Sequence, residues 1–144
     1  MAKETKAKSK TTIKEDLQGL TLLGANDKSK NKPSKTLEKF PNHHQRDYVV
    51  TLDTDEFTCL CPMTGQPDFA QVNIEYIPDK YIVESKSLKL YLQSYRNEGC
   101  FHEHVTNVVL DDLIKAIVPK WCKITMSFNI RGGIAITVSA EHKK

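Results

Sequence analysis

The sequence predicts an α+β fold: an antiparallel sheet of four strands with two helices packed on one face. Three observations predict it. Two stretches of alternating apolar and polar residues precede two segments of helical period, and two more alternating stretches follow. Arg131-Gly132-Gly133 makes a tight turn between the last two, so they close as a hairpin. The resulting order, β-β-α-α-β-β, keeps strands and helices apart, as a one-sided α+β sandwich requires.

Asp47–Asp53 (DYVVTLD) reads as the first strand, rich in β-branched and aromatic residues. EFTCLCPMTGQPDF follows, with Pro62, Gly65 and Pro67 close together, and reads as a loop whose backbone cannot join a regular ladder. Phe69–Ile77 is the second strand, with Val72, Ile74 and Tyr76 on one face. Pro78 and Asp79 turn the chain into an extended Tyr81–Val83.

Leu88, Tyr91, Leu92 and Tyr95 recur at helical spacing over Ser85–Glu98, and Gly99 is placed to cap that helix. Val105, Val108, Val109, Leu113, Ile114 and Ile117 form one face of a second helix, His102–Val118, which Pro119 stops. Lys120–Ile130 alternates strictly, and Ile134–Ser139 returns beside it. The helix-free face is expected to carry apolar or aromatic residues that need a cover. An oligomer with sheets joined edge to edge is therefore predicted.

A chain of 144 residues suits one domain. The net charge of +3 divides unevenly. Residues 1–40 hold ten lysines against five acidic residues, while the remainder is slightly acidic. Residues 1–16 read as a basic, disordered leader, either a solvated tail or a contact for nucleic acid, and residues 17–144 as the folded domain. Leu17–Gly24 (LQGLTLLG) is the apolar exception near the front, and its leucines are placed to dock onto the domain. No apolar run approaches the roughly 20 residues that span a bilayer, and no apolar segment follows the leading lysines as in a secretory signal. A cytoplasmic protein is the expectation. Its four cysteines, Cys59, Cys61, Cys100 and Cys122, are then expected as free thiols. Cys59 and Cys61 lack zinc-knuckle spacing, and no bound metal is expected.

Four constellations have chemical potential. Cys61 and Asp68 bracket a Pro/Gly-rich turn, so a nucleophilic thiol and a proton-carrying carboxyl can meet; alternatively, each is an ordinary turn residue. Glu84 and Ser85 sit at a helix start, followed by Lys86 and Lys89 three residues apart, a pairing for phosphate or else a solvated lysine face. Phe101-His102-Glu103 opens the second helix. There a carboxylate can accept the N–H edge of a guanine-type base while an aromatic ring stacks. His102 and His104 point about 200° apart on a helix and do not share an ion readily. Arg131 with Gly132 and Gly133 grips phosphate or simply turns a hairpin.

Taken together and in order, FTCLCPMTGQPDFA, VESKSLKLYLQSYRNEG, FHE and RGG resemble the successive signatures of the single-module 7-cyano-7-deazaguanine reductases. The similarity runs from about Leu17 through Ile136 and includes LTLLG and FPNHHQRDY. The resemblance implies the tunnelling fold, in which such units assemble into a barrel as stacked rings with active sites between subunits. It implies that Cys61 attacks the nitrile of 7-cyano-7-deazaguanine to form a thioimide and that Asp68 donates protons. NADPH would deliver two hydrides, giving 7-aminomethyl-7-deazaguanine for tRNA queuosine biosynthesis. Val83, Glu84, Ser85, Phe101, His102 and Glu103 would bind the base, and Lys86, Lys89, Arg131 and Gly132 the cofactor. No direct binding of tRNA is implied.

Cys59 departs from the pattern, standing where a serine is commoner, and offers a competing thiol; His104 receives no role. A metal-dependent cyclohydrolase of the same fold would need a Cys/His zinc set that does not assemble here. A non-enzymatic RNA-binding module would rest on the leader alone.

Overall fold

Alternation builds the sheet that the sequence predicts, in a computed structural model that describes residues 14–23 and 31–144. The elements run α1 (Lys14–Leu17), β1 (Lys39–Pro41), β2 (Val50–Leu60), β3 (Pro67–Ile77), β4 (Tyr81–Val83), α2 (Ser85–Gln93), α3 (His102–Ile117), β5 (Trp121–Arg131) and β6 (Ile134–Lys143). The large sheet is antiparallel in the order β2-β3-β5-β6. One face buries Phe57, Cys59, Ala70, Val72, Ile74, Tyr76, Cys122, Ile124, Met126 and Phe128. Against it pack Leu88, Tyr91, Val105, Val109, Leu113 and Ile117 from α2 and α3. No helix among the described residues is long and apolar enough to cross a membrane.

Several expectations need correction. The first strand does not end at Asp53 but continues to Leu60, so the loop shrinks to Cys61–Gln66. A bulge between Thr54 and Phe57 resets the register, which lets Phe57 and Cys59 point inward. Pro67 is tolerated because it is the first residue of its strand. The helix-free face is also more polar than expected. It presents Gln71, Asn73, Glu75, Lys123, Thr125 and Ser127, with apolar Phe69, Ile77 and Trp121 confined to the strand ends.

The first helix stops at Gln93 rather than Glu98, and the next residues close as tighter turns, with N–H bonds from Tyr95 to Leu92 and from Glu98 to Tyr95. Gly99 is no helix cap. It bridges Leu60, and a Cβ there would stand 3.0 Å from Pro62 Cα, so glycine is needed for close approach. α3 ends where Pro119 predicts, through Val118 in the left-handed conformation.

A second, two-stranded sheet pairs β1 with β4 antiparallel. α1 packs beside β1, and Asp16 is buried there. Expectations about residues 1–13 and Gly24 lie outside the described residues.

Candidate active site

The order of the sheet places the β2–β3 turn and the β5–β6 turn at the same end, because β3 leaves that end and β5 arrives there. Cys61 follows β2 directly. Its N–H donates to Gln66 O at 2.8 Å, and Gly65 N–H donates to Cys61 O at 2.9 Å, with Gly65 at φ 71°. This short, closed turn holds the thiol at the surface of the sheet end. The Thr64 hydroxyl, the Arg131 guanidinium and the backbone N–H groups of Thr64 and Met63 all hydrogen-bond the sulfur and hold its pKa down to about 6.

The other cysteines behave oppositely. Burial pushes Cys59 and Cys122 up to about 12 and raises Cys100 as well. Cys59, fully buried, is therefore no competitor for Cys61. All four thiols are free.

Asp68 lies one residue into β3 and is 6 % exposed. Arg131 Nη1 donates to its Oδ1 at 2.5 Å, and His102 Nε2 stands 3.1 Å from its Oδ2. Burial works to raise the Asp68 pKa, but the bonds from Arg131 and His102 overcome it and leave the carboxyl below its ordinary value. Asp68 is thus an ionised carboxylate in the free protein.

His102 is the first residue of α3, and its ring lies flat on Phe128, centroids 3.7 Å apart and planes 4° from parallel. Phe128 and Thr64 were not singled out in the sequence. A threonine three residues after the turn cysteine was the available signal for one; nothing distinguished Phe128 from other inward strand residues. Phe101 and Glu103 flank His102 on the exposed start of α3, and Gly132 follows Arg131 in the turn.

The structure therefore brings Cys61, Asp68, His102 and Arg131 into one cluster, with Phe101, Glu103 and Gly132 at its rim. Val83, Glu84, Ser85, Lys86 and Lys89 lie elsewhere. Ser85 and Lys89 face Ile74 and Leu52 across a cavity of about 320 Å³. Ile74 is six strand residues from Asp68, roughly 20 Å at about 3.3 Å per residue.

At the start of α2 the Glu84 carboxylate accepts N–H bonds from Lys86 at 2.7 Å and Ser87 at 2.8 Å. Those amides are already satisfied, so an anion here would be held by lysine side chains rather than by the helix terminus. Asp53 and Glu56 share the cavity with Lys89 and set a limit on how much negative charge it accepts. Lys86 and Lys89, both on α2, are the residues here that could hold a phosphate-bearing group. Among the described residues no three His, Cys, Asp or Glu side chains group as metal ligands.

Comparison with known proteins identifies the chain's relatives. The family described as QueF-like protein matches residues 67–144. A protein of Syntrophus aciditrophicus named NADPH-dependent 7-cyano-7-deazaguanine reductase is 65% identical over 136 residues, covering 94% of each chain. Proteins of the same name from Halorhodospira halophila and Alkalilimnicola ehrlichii are 59% and 56% identical, covering 76% and 78% of this chain and 94% and 88% of theirs. Among solved structures, the archaeosine synthase QueF-Like in its apo form superposes with a TM-score of 0.61 at 28% identity, covering 65% of this chain and 91% of that one.

Proposed function

The chain belongs to the family of NADPH-dependent 7-cyano-7-deazaguanine reductases, and from that premise we propose how its own residues carry the reaction. The reaction is the NADPH-dependent reduction of the nitrile of 7-cyano-7-deazaguanine to an aminomethyl group, a step towards queuosine in tRNA. When bound, NADPH would supply a hydride, and two NADPH in succession would take the nitrile carbon to the amine level.

The Cys61 thiolate attacks the nitrile carbon, the C≡N bond opens to C=N, and the nitrogen takes a proton, giving a thioimide. Asp68 delivers that proton. Because Arg131 and His102 hold Asp68 ionised at rest, it works as a relay recharged through His102 rather than as a standing acid. Phe128 keeps the His102 ring in the plane that reaches Asp68. Arg131 sustains both anions until the thiolate charge is consumed.

Glu103 accepts the N–H edge of the base, Phe101 stacks on it, and Val83–Ser85 complete the pocket. Lys86 and Lys89 hold the cofactor phosphates, with Arg131 and Gly132 at the other rim. Ile74, which lines the cavity at Ser85 and Lys89, is six strand residues from Asp68, and this separation along the sheet supports a complete site built between subunits. Edge strands β2 and β6, each with one neighbour in the sheet, support edge-to-edge closure into a barrel of stacked rings. The polar helix-free face suits a wet lumen. A free-base substrate and four free thiols support a cytoplasmic setting without direct tRNA contact.

The observation that carries this reading is the single low-pKa thiol beside a buried carboxylate. Intact-protein mass spectrometry tests it. The protein gains the mass of the nitrile without NADPH and loses it when NADPH is added, and Cys61→Ala shows neither change. Adduct formation or turnover that survives Cys61→Ala overturns the reading.

A further inference from the structure

We propose that the segment Asp16–Leu23 is a wall of the base-binding pocket, presenting leucines to the apolar face of the deazaguanine ring. The proposal rests on the reading that Val83–Ser85 contact the substrate. Two fastenings hold the segment. Asp16, only 7 % exposed, pairs with His43 Nε2. Thr21 N–H donates to both carboxylate oxygens of Glu38 at 3.1 Å, and the Thr21 hydroxyl donates to the same carboxylate.

Glu38 in turn is fixed to the start of α2. Its N–H donates to Ser87 Oγ at 2.9 Å, and Glu84 N–H donates to its carbonyl at 2.9 Å. One residue thus ties the segment to the helix turn that carries Glu84 and Ser85.

Between them lies a cavity of about 340 Å³, with Leu17, Leu20 and Leu23 on one side and Phe40, Val83 and Glu84 on the other. That volume is at the lower end of the roughly 300–1,000 Å³ range of small-molecule pockets, enough for a bicyclic base and short for a dinucleotide. Its walls match a flat heterocycle: leucines for the ring face, and Glu84 and Ser85 for a polar edge. Leu17 and Leu23 stay 54 % and 53 % exposed although Asp16 and Thr21 fasten their segment, which leaves open apolar surface for a ligand to cover.

The test uses the full chain with Leu17→Ser and Leu23→Ser combined, two exposed positions whose change leaves the core intact. The nitrile concentration giving half-maximal Cys61 adduct and the KM for the nitrile are expected to rise together, by about tenfold. The kcat at saturating nitrile and the KM for NADPH are expected to stay within about twofold, and Leu17→Met with Leu23→Met to restore nitrile binding. Should the serine variant fail to fold, single Leu17→Ala is measured in the same way. Unchanged half-saturation by nitrile, or a fall in thermal midpoint and kcat with KM unmoved, overturns the proposal and leaves a structural strap. Failure of the wild-type protein to form any adduct instead removes the underlying reading.

Discussion

Thr64→Val offers the sharpest test of how the fold makes Cys61 reactive. The Thr64 hydroxyl is the largest influence lowering the thiol pKa, ahead of Arg131. With a pKa of about 6, roughly nine-tenths of the thiol is ionised at pH 7, whereas at the ordinary 9.0 about one-hundredth would be. The turn therefore accounts for nearly a hundredfold in thiolate population at neutral pH. Valine keeps the β-branched shape and removes only the hydroxyl donor. The alkylation midpoint is expected to move up by about one pH unit, because a bond to the charged form has been lost while Arg131 and the amides remain. Iodoacetamide labelling from pH 4.5 to 9.5, read as mass on Cys61, measures it. Adduct formation with the nitrile should follow the same curve, falling as pH drops through about 6 in the native protein and, in the variant, losing about twofold at pH 7 and about fivefold at pH 6. A native thiol that titrates near 9, or a variant whose midpoint does not move, would refute the reasoning.

Three further outcomes are expected. Asp68→Asn should lower turnover by about two orders of magnitude while the affinity for the nitrile, read by isothermal titration on the Cys61→Ala background, changes little; a loss confined to affinity would remove the proton-relay role. Glu103→Ala should weaken nitrile binding by about ten- to a hundredfold in the same titration, because the base edge loses its acceptor. Co-refolding equal amounts of Cys61→Ala and Lys86→Ala/Lys89→Ala chains should regenerate about a quarter of native sites if the two half-sites come from different subunits; recovery indistinguishable from the unmixed variants would place them in one chain.

The sheet was legible because alternation is a local property. Val72, Ile74 and Tyr76 face the helices as their spacing says, and Cys122, Ile124, Met126 and Phe128 do likewise. The second half of β2 was not, and the reason is geometric. Leu52 and Thr54 keep a period of two, but the bulge inserts a residue before Phe57 and Cys59, so the pattern read as broken where the strand in fact continues. Gly99 misled for a related reason: a glycine after a helical stretch reads as a cap, yet what it serves is the approach of Pro62, 37 residues earlier in the chain and beyond what local sequence can weigh. The helix-free face shows the same limit, since its apolar residues cluster at strand ends, a fact about register rather than composition.

The site divides along the same line. Cys61 and Asp68 were legible because both ends of one short turn are near each other whatever the rest of the chain does. His102 and Arg131 reach Asp68 across 34 and 63 residues of sequence, and only the order β2-β3-β5-β6, with α3 starting over the same sheet end, makes them neighbours. Family resemblance named those residues but not their arrangement: it assigned Arg131 to phosphate, whereas here the guanidinium is engaged by a thiolate and a carboxylate. A cation already holding two anions resists a third partner, so cofactor phosphate can draw on Arg131 only as the Cys61 charge disappears into the thioimide. Binding of the nitrile before NADPH would then be the favoured order, and it follows from charge balance at one side chain.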